Sequence, residues 1–229
     1  MKNLKEIAKK VSIPFVYKVL RNRYRSHLLK SKTTEQVFTE IYESHAWAGK
    51  NSPGSDVDQS RIIVTRIPTL FHEFNISTVL DIPCGEFGWM KNVDLRNIDY
   101  TGADIVNDLV EQNAEKYGSQ ALRFKHLIRD ELPRMDLVFC RDCLVHFSFA
   151  DIFAALRNIC SSGSKYLLTT TFTGRTVNYD IVTGQWRVLN LEIAPFMLPK
   201  PLRIINEGCT EDAGVYEDKS LGLWRIDEV

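Results

Sequence analysis

The sequence has no run of the eighteen or so apolar residues that a membrane span requires, and its first residues lack the uninterrupted apolar core and small-residue cleavage site of a secretory leader. The protein is therefore expected to be cytoplasmic. Its cysteines, Cys84, Cys140, Cys143, Cys160 and Cys209, are odd in number and stand mostly in apolar surroundings, so they read as reduced core residues rather than a disulfide framework. Cys140 and Cys143 do form one CxxC. A zinc site would need a second pair or nearby histidines, and a redox pair would open a helix, whereas this one straddles a strand end; the structural reading is favoured. An HExxH pattern is also missing, and no metal ligands are expected.

An excess of charge of one sign is lacking too, since 29 Lys and Arg balance 29 Asp and Glu. The balance hides an asymmetry. Residues 1–32 carry ten Lys or Arg against the single acid Glu6, so the arm is strongly basic and the remainder acidic. Leu4, Ile7, Ala8 and Val11 recur at helical spacing, Pro14 interrupts, and Phe15, Val16, Val19 and Leu20 continue the stripe. Such a helix either lies on an anionic membrane surface, giving peripheral association, or packs its stripe on the main domain. Nucleic acid is disfavoured as a partner, because the main domain is acidic and the arm has few aromatics.

What is present is the make-up of a globular domain with an appendage: 229 residues, 44% apolar and 25% charged. Thr78 to Ile82 is a short β-branched run that ends in Pro83, Cys84, Gly85, Glu86, Phe87, Gly88. This reads as a buried parallel strand feeding a tight loop, with Phe87 to Lys91 starting a helix. Loops of this kind bind ligands at the carboxyl edge of an α/β sheet. The dinucleotide fingerprint places its first glycine where Pro83 stands, so a pyrophosphate is disfavoured. Nineteen residues after Gly85, a second strand ends in Asp104, which places a carboxylate beside a ribose diol. A ribose without a pyrophosphate suggests an adenosyl ligand.

At these residues the chain resembles the class I S-adenosylmethionine-dependent methyltransferases. Val79 to Gly85 looks like their first motif, and Asp104 stands where their ribose-binding acid falls. IPCGEFGWM, DLVFCRDCLVHFSF (Asp136 to Phe149) and SKYLLTTTF (Ser164 to Phe172) resemble a subgroup of small bacterial enzymes associated with surface-polysaccharide synthesis. The resemblance implies a Rossmann-like, doubly wound α/β fold. Its sheet would be mostly parallel and seven-stranded, with helices on both faces and an antiparallel last strand. It implies S-adenosylmethionine as cofactor, held by Asp81, Pro83, Cys84, Gly85, Phe87, Trp89, Asp104 and Ile105. It also implies that residues 33–77 cover the cofactor, with Trp47 and Ser55 as contacts, inside a methyltransferase domain of residues 33–229. Trp47 read by itself is a core anchor. The chain departs from the family near the end of strand three, read as Leu122 to Ile128. There His126 stands where an acid usually meets the adenine amino group, leaving Asp130 or a backbone amide for that contact.

The acceptor side is expected at the end of strand four, Asp136 to Arg141, where Arg141, Asp142 and His146 follow at the carboxyl edge. His146 could be a base oriented by Asp142, since histidine titrates near neutral pH; a histidine just before a helix N-cap also commonly makes a structural bond. Periodicity lapses from Thr173 to Pro201, a segment holding Asn178, Trp186 and Asn190, and loops this long are usually functional. It is read as an acceptor loop. The expected activity is O-methylation of a sugar or other polar small-molecule hydroxyl, with N-methylation or a non-catalytic binding protein of the same fold as alternatives.

Overall fold

The computed structural model describes residues 27–46, 57–117, 122–124 and 126–229. Trp47, Ser55 and residues 1–26 of the basic arm lie outside the described residues. Helix α1, Thr34–Glu43, starts at a reciprocal cap in which Thr33 Oγ1 accepts from the Gln36 amide and Gln36 Oε1 accepts from the Thr33 amide. Helix α2, Val57–Glu73, presents Ile63, Ile67, Leu70 and Phe71 on one buried face, at the spacing an amphipathic helix demands.

Alternation then sets the strands. In β1, Thr78–Asp81, Val79 points to the α2 side of the sheet while Leu80 points to the opposite side. After β2, Asp99–Asp104, come helix α3, Asn107–Tyr117, and the three-residue β3, Leu122–Phe124. Strand β4, Leu137–Cys140, repeats the split: Leu137 and Phe139 join Val79, whereas Val138 and Cys140 join Leu80. Helix α4, Phe149–Ser161, is capped by Ser148 Oγ on the Asp151 amide, and packs Ile152, Ala155, Leu156 and Ile159 against that second face. Strands β5, Tyr166–Phe172, β6, Arg203–Asn206, and β7, Lys219–Arg225, complete one sheet in the order β3-β2-β1-β4-β5-β7-β6. The pairs β1–β2, β1–β4, β2–β3 and β4–β5 are parallel, and β7 runs antiparallel to both its neighbours. Strand order reverses between β1 and β4, which opens a crevice beyond their carboxyl ends.

Two local expectations need correcting. No helix follows the glycine loop directly. Gly85 and Phe87 sit at φ +55° and +56°, outside helical geometry, so the chain turns and makes only a short 3-10 turn, Met90–Asn92. Strand three ends at Phe124 rather than at Ile128, and by His126 to Asp130 the backbone has turned, with the Arg129 and Asp130 amides bonded to the His126 carbonyl.

Candidate functional site

The crevice is lined on one side by the glycine loop, with Asp81, Pro83, Cys84, Gly85, Phe87 and Trp89, and by Asp104 and Ile105 at the end of β2. The turn after β4 supplies Arg141, Asp142 and His146 on the other side. The described residues expected at the cofactor, together with Arg141, Asp142 and His146, thus line one cavity, whereas Asn178, Trp186 and Asn190 of the expected acceptor loop do not; Trp47 and Ser55 fall outside the described residues.

Asp104 ties the cavity floor together. Its Oδ2 accepts from the Gly85 amide at 3.1 Å and its Oδ1 from the Val106 amide at 3.0 Å. Burial pushes its carboxyl up, and these backbone donors pull it back. Asn113, a buried polar residue of α3, donates to the Gly85 carbonyl at 2.7 Å and so clamps the loop from behind. Asp81 is 2% exposed and accepts from the Tyr100 hydroxyl at 2.6 Å. Burial raises its pKa to about 8 despite that bond. Gly85 has a specific reason to be glycine, for its φ is positive, and a Cβ built there would meet no protein atom within 4 Å. The space it leaves belongs to the cavity.

After β3, His126 and Leu127 line the wall. Asp130 is turned away, because its Oδ2 accepts from the His126 amide at 2.7 Å. His126 Nδ1 accepts from the Ile128 amide at 3.1 Å, which leaves its ring proton on Nε2.

Beyond β4, the charged residues form a buried cluster that two sequence-distant groups complete. Arg141 Nη2 and Nε donate to Glu207 Oε2 at 2.6 and 3.2 Å, and the guanidinium stacks 5.2 Å from the Trp89 ring. Lys219, the first residue of β7, donates to Asp142 Oδ2 at 2.8 Å and lies 3.7 Å from Glu207 Oε2. Asp142 holds a left-handed φ of +53°, fixed by its amide bond to Thr170 Oγ1 at 2.8 Å. Burial works against its charge, but Lys219 and Arg141 hold its carboxyl well below the usual range. Burial likewise opposes the charge on Arg141, which Glu207 and Asp142 more than restore. Glu207 Oε1 has no hydrogen-bond partner among the described residues. Glu207 and Lys219 escaped the sequence reading, since neither belongs to a motif.

His146 sits in a 3-10 turn, Leu144–His146, with its Nδ1 3.0 Å from the Gln185 carbonyl. A carbonyl only accepts, so Nδ1 carries the proton and Nε2 the lone pair. Burial lowers the His146 pKa to about 4, not the near-neutral value expected from its type. The loop after β5 straps this turn down. The Gly184 and Arg187 amides donate to the His146 and Val145 carbonyls, and the fully buried Arg187 guanidinium donates to the carbonyls of Leu144, Val145 and Phe147. Asn178 and Asn190 are bonded within the loop itself: Asn178 Nδ2 donates to the Asn190 and Ala194 carbonyls, and its Oδ1 accepts from the Asn190 amide. Trp186 remains 42% exposed and meets Tyr216 edge-on.

No protein-family model matches the sequence, and no curated protein matches it. Solved structures do match its fold. A human N-acetylserotonin methyltransferase, solved with S-adenosylmethionine, aligns over 85% of this chain and 60% of its own at 13% identity and a TM-score of 0.55. A Pyrococcus horikoshii protein aligns over 81% of this chain and 98% of its own, at 17% identity and a TM-score of 0.53. The magnesium protoporphyrin IX methyltransferase of Synechocystis, with S-adenosylmethionine bound, aligns over 65% of this chain and 81% of its own, at 16% identity and a TM-score of 0.50. The fold is that of the Rossmann-like methyltransferases.

Proposed function

We propose that the protein is an S-adenosylmethionine-dependent methyltransferase acting on a hydroxyl of a sugar or another polar small molecule. The observation that carries this reading is Asp104, a buried carboxylate bonded to the glycine loop at the floor of the crevice, with the unfilled space beside Gly85 next to it. Neighbours of the same fold that were solved with the methyl donor support the choice of ligand. The bound donor would supply an electrophilic methyl group on a sulfonium. Asp104 would hold its ribose, and Asp81, Gly85 and the adjoining loop residues Pro83, Cys84, Phe87 and Trp89 would hold the rest, beside Ile105.

The protein's own tasks are to position the acceptor oxygen, exclude water and remove a proton. Asp142 and His146 stand where the acceptor enters, the former ionised and the latter neutral at pH 7. Arg141 acts on the acceptor only through Asp142, since its guanidinium is turned onto Glu207.

Calorimetric titration tests the donor assignment. S-adenosylmethionine and its demethylated product should bind with micromolar-range affinity, and NAD should not compete. Asp104→Ala should weaken both by removing charge-assisted hydrogen bonds worth roughly 1.5 to 3 kcal/mol each. Unchanged donor affinity in that variant, or a preference for NAD, would sink the assignment.

A further inference from the structure

The four charged groups beyond β4 differ sharply in access. The side chains of Arg141, Glu207 and Lys219 are 4%, 1% and 7% exposed, while that of Asp142 is 25% exposed and borders the crevice. Two cations and two anions leave the cluster with no net charge, so neither Arg141 nor Lys219 is available to recruit an anionic ligand. What the cluster leaves over is acceptor capacity. Asp142 Oδ2 is occupied by Lys219, but among the described residues Oδ1 has only a long 3.4 Å contact with the Thr170 hydroxyl, and Asp142 lines the crevice whereas Glu207 does not. A ligand that completes this site must bring donors.

We propose that Lys219 is a positioning residue that, with Arg141 and Glu207, presets Asp142 as an anchor for the methyl acceptor, so that the acceptor docks through a neutral hydroxyl and a carboxylate-bearing analogue is rejected. This rests on the methyl-transfer reading of the crevice. The left-handed backbone at Asp142 aims the carboxylate, and Lys219 reaches it from the last strand of the sheet. The groups facing Asp142 are the charged Arg141 beside it, Lys219 of β7 and Glu207 behind both, and the titratable His146 of the following turn. Lys219 and Arg141 favour the ionised carboxylate, which accepts hydrogen bonds and donates none. An acid brought to the same place meets a like charge with no spare cation to offset it.

The test is carboxyl carbon NMR of Asp142, with calorimetry of the demethylated donor on the same samples. In the wild-type protein the Asp142 signal should titrate below the ordinary carboxylate range. In Lys219→Met the midpoint should move up, and in Lys219→Arg it should return. Glycerol at high millimolar concentration, added with the demethylated donor bound, should shift the Asp142 signal, whereas glycerate, which differs by one carboxylate, should not. An ordinary wild-type midpoint, a Lys219→Met midpoint identical to wild type, or glycerate acting as strongly as glycerol each overturns the anchor while leaving donor binding standing. Silence of both probes overturns it too. Failure of the demethylated donor to bind overturns the methyltransferase reading itself and the anchor with it. Should Lys219→Met not fold, the wild-type titration and the two probes still decide the matter.

Discussion

Asp81 and His146 are displaced in opposite directions by the same cause, burial in the crevice, and each leaves a signature in pH. The native Asp81 carboxyl keeps its proton up to about pH 8, while its unfolded counterpart loses it near 3.8. Between those values the unfolded chain binds fewer protons, so this group makes stability fall as pH rises. Asp81→Asn, which keeps an acceptor for Tyr100, should flatten that slope in urea unfolding measured at pH 5 and pH 8. His146 acts the other way. Its native pKa of about 4 lies below 6.5, so stability is lost as pH falls between them. If His146 takes the acceptor's proton, the acid limb of kcat/KM should lie near pH 4, and His146→Ala should lower kcat by ~10² to 10⁴ without changing donor affinity. Glu207→Ala strands a buried guanidinium and should cost about 3 to 5 kcal/mol in denaturant unfolding. The residues that sequence could reveal here are those fixed by local spacing, Asp81, Gly85 and Asp104. Glu207 and Lys219 could not be found that way, since their bonds to Arg141 and Asp142 span 66 and 77 residues. Nor could the His146 shift, because burial is a property of the closed fold and not of the residue type.

Among the elements, the strands of the central sheet were legible because both their faces are buried and they read as continuous apolar runs. The turn that stands in place of the helix expected at Phe87 to Lys91 was not, because the positive φ at Phe87 has no glycine to announce it. The segment after β5 shows the same limit. It has no helical or sheet periodicity, yet Arg187, Leu189 and Leu191 are fully buried at alternate positions, and the Phe172 amide donates to the Leu189 carbonyl. It is an extended strap outside the sheet. Strand β7 carries a comparable demand at Gly222, where a Cβ would lie 2.2 Å from the Trp224 ring. Trp224 cannot retreat, being 1% exposed and bonded through Nε1 to the Pro199 carbonyl at 2.7 Å. Gly222→Ala should therefore destabilise by about 1 to 3 kcal/mol or more, with an altered near-ultraviolet tryptophan signal; a melting temperature equal to wild type would contradict the packing described.

At the scale of the molecule, charge is divided between a basic arm, residues 1–32, and an acidic remainder. No helix among the described residues is long and apolar enough to cross a membrane. The arm is proposed to hold the protein at an anionic surface, each Lys or Arg near it contributing about 1 kcal/mol. Salt-sensitive co-sedimentation with phosphatidylserine vesicles should disappear when residues 1–32 are deleted, and a full-length protein that ignores such vesicles at low salt would assign the arm to packing. The crevice has a different dependence on the length of the chain. The glycine loop and Asp104 come from residues 81 to 104, but the charges of Arg141 and Asp142 across the crevice are balanced by Glu207 and Lys219. A ribosome delivers these last, several seconds after Asp142 at about 5 to 20 residues per second. During that interval Arg141 and Asp142 have one another but neither of their outer partners. The nascent chain thus holds the glycine loop and Asp104 well before it acquires the partners that balance Arg141 and Asp142.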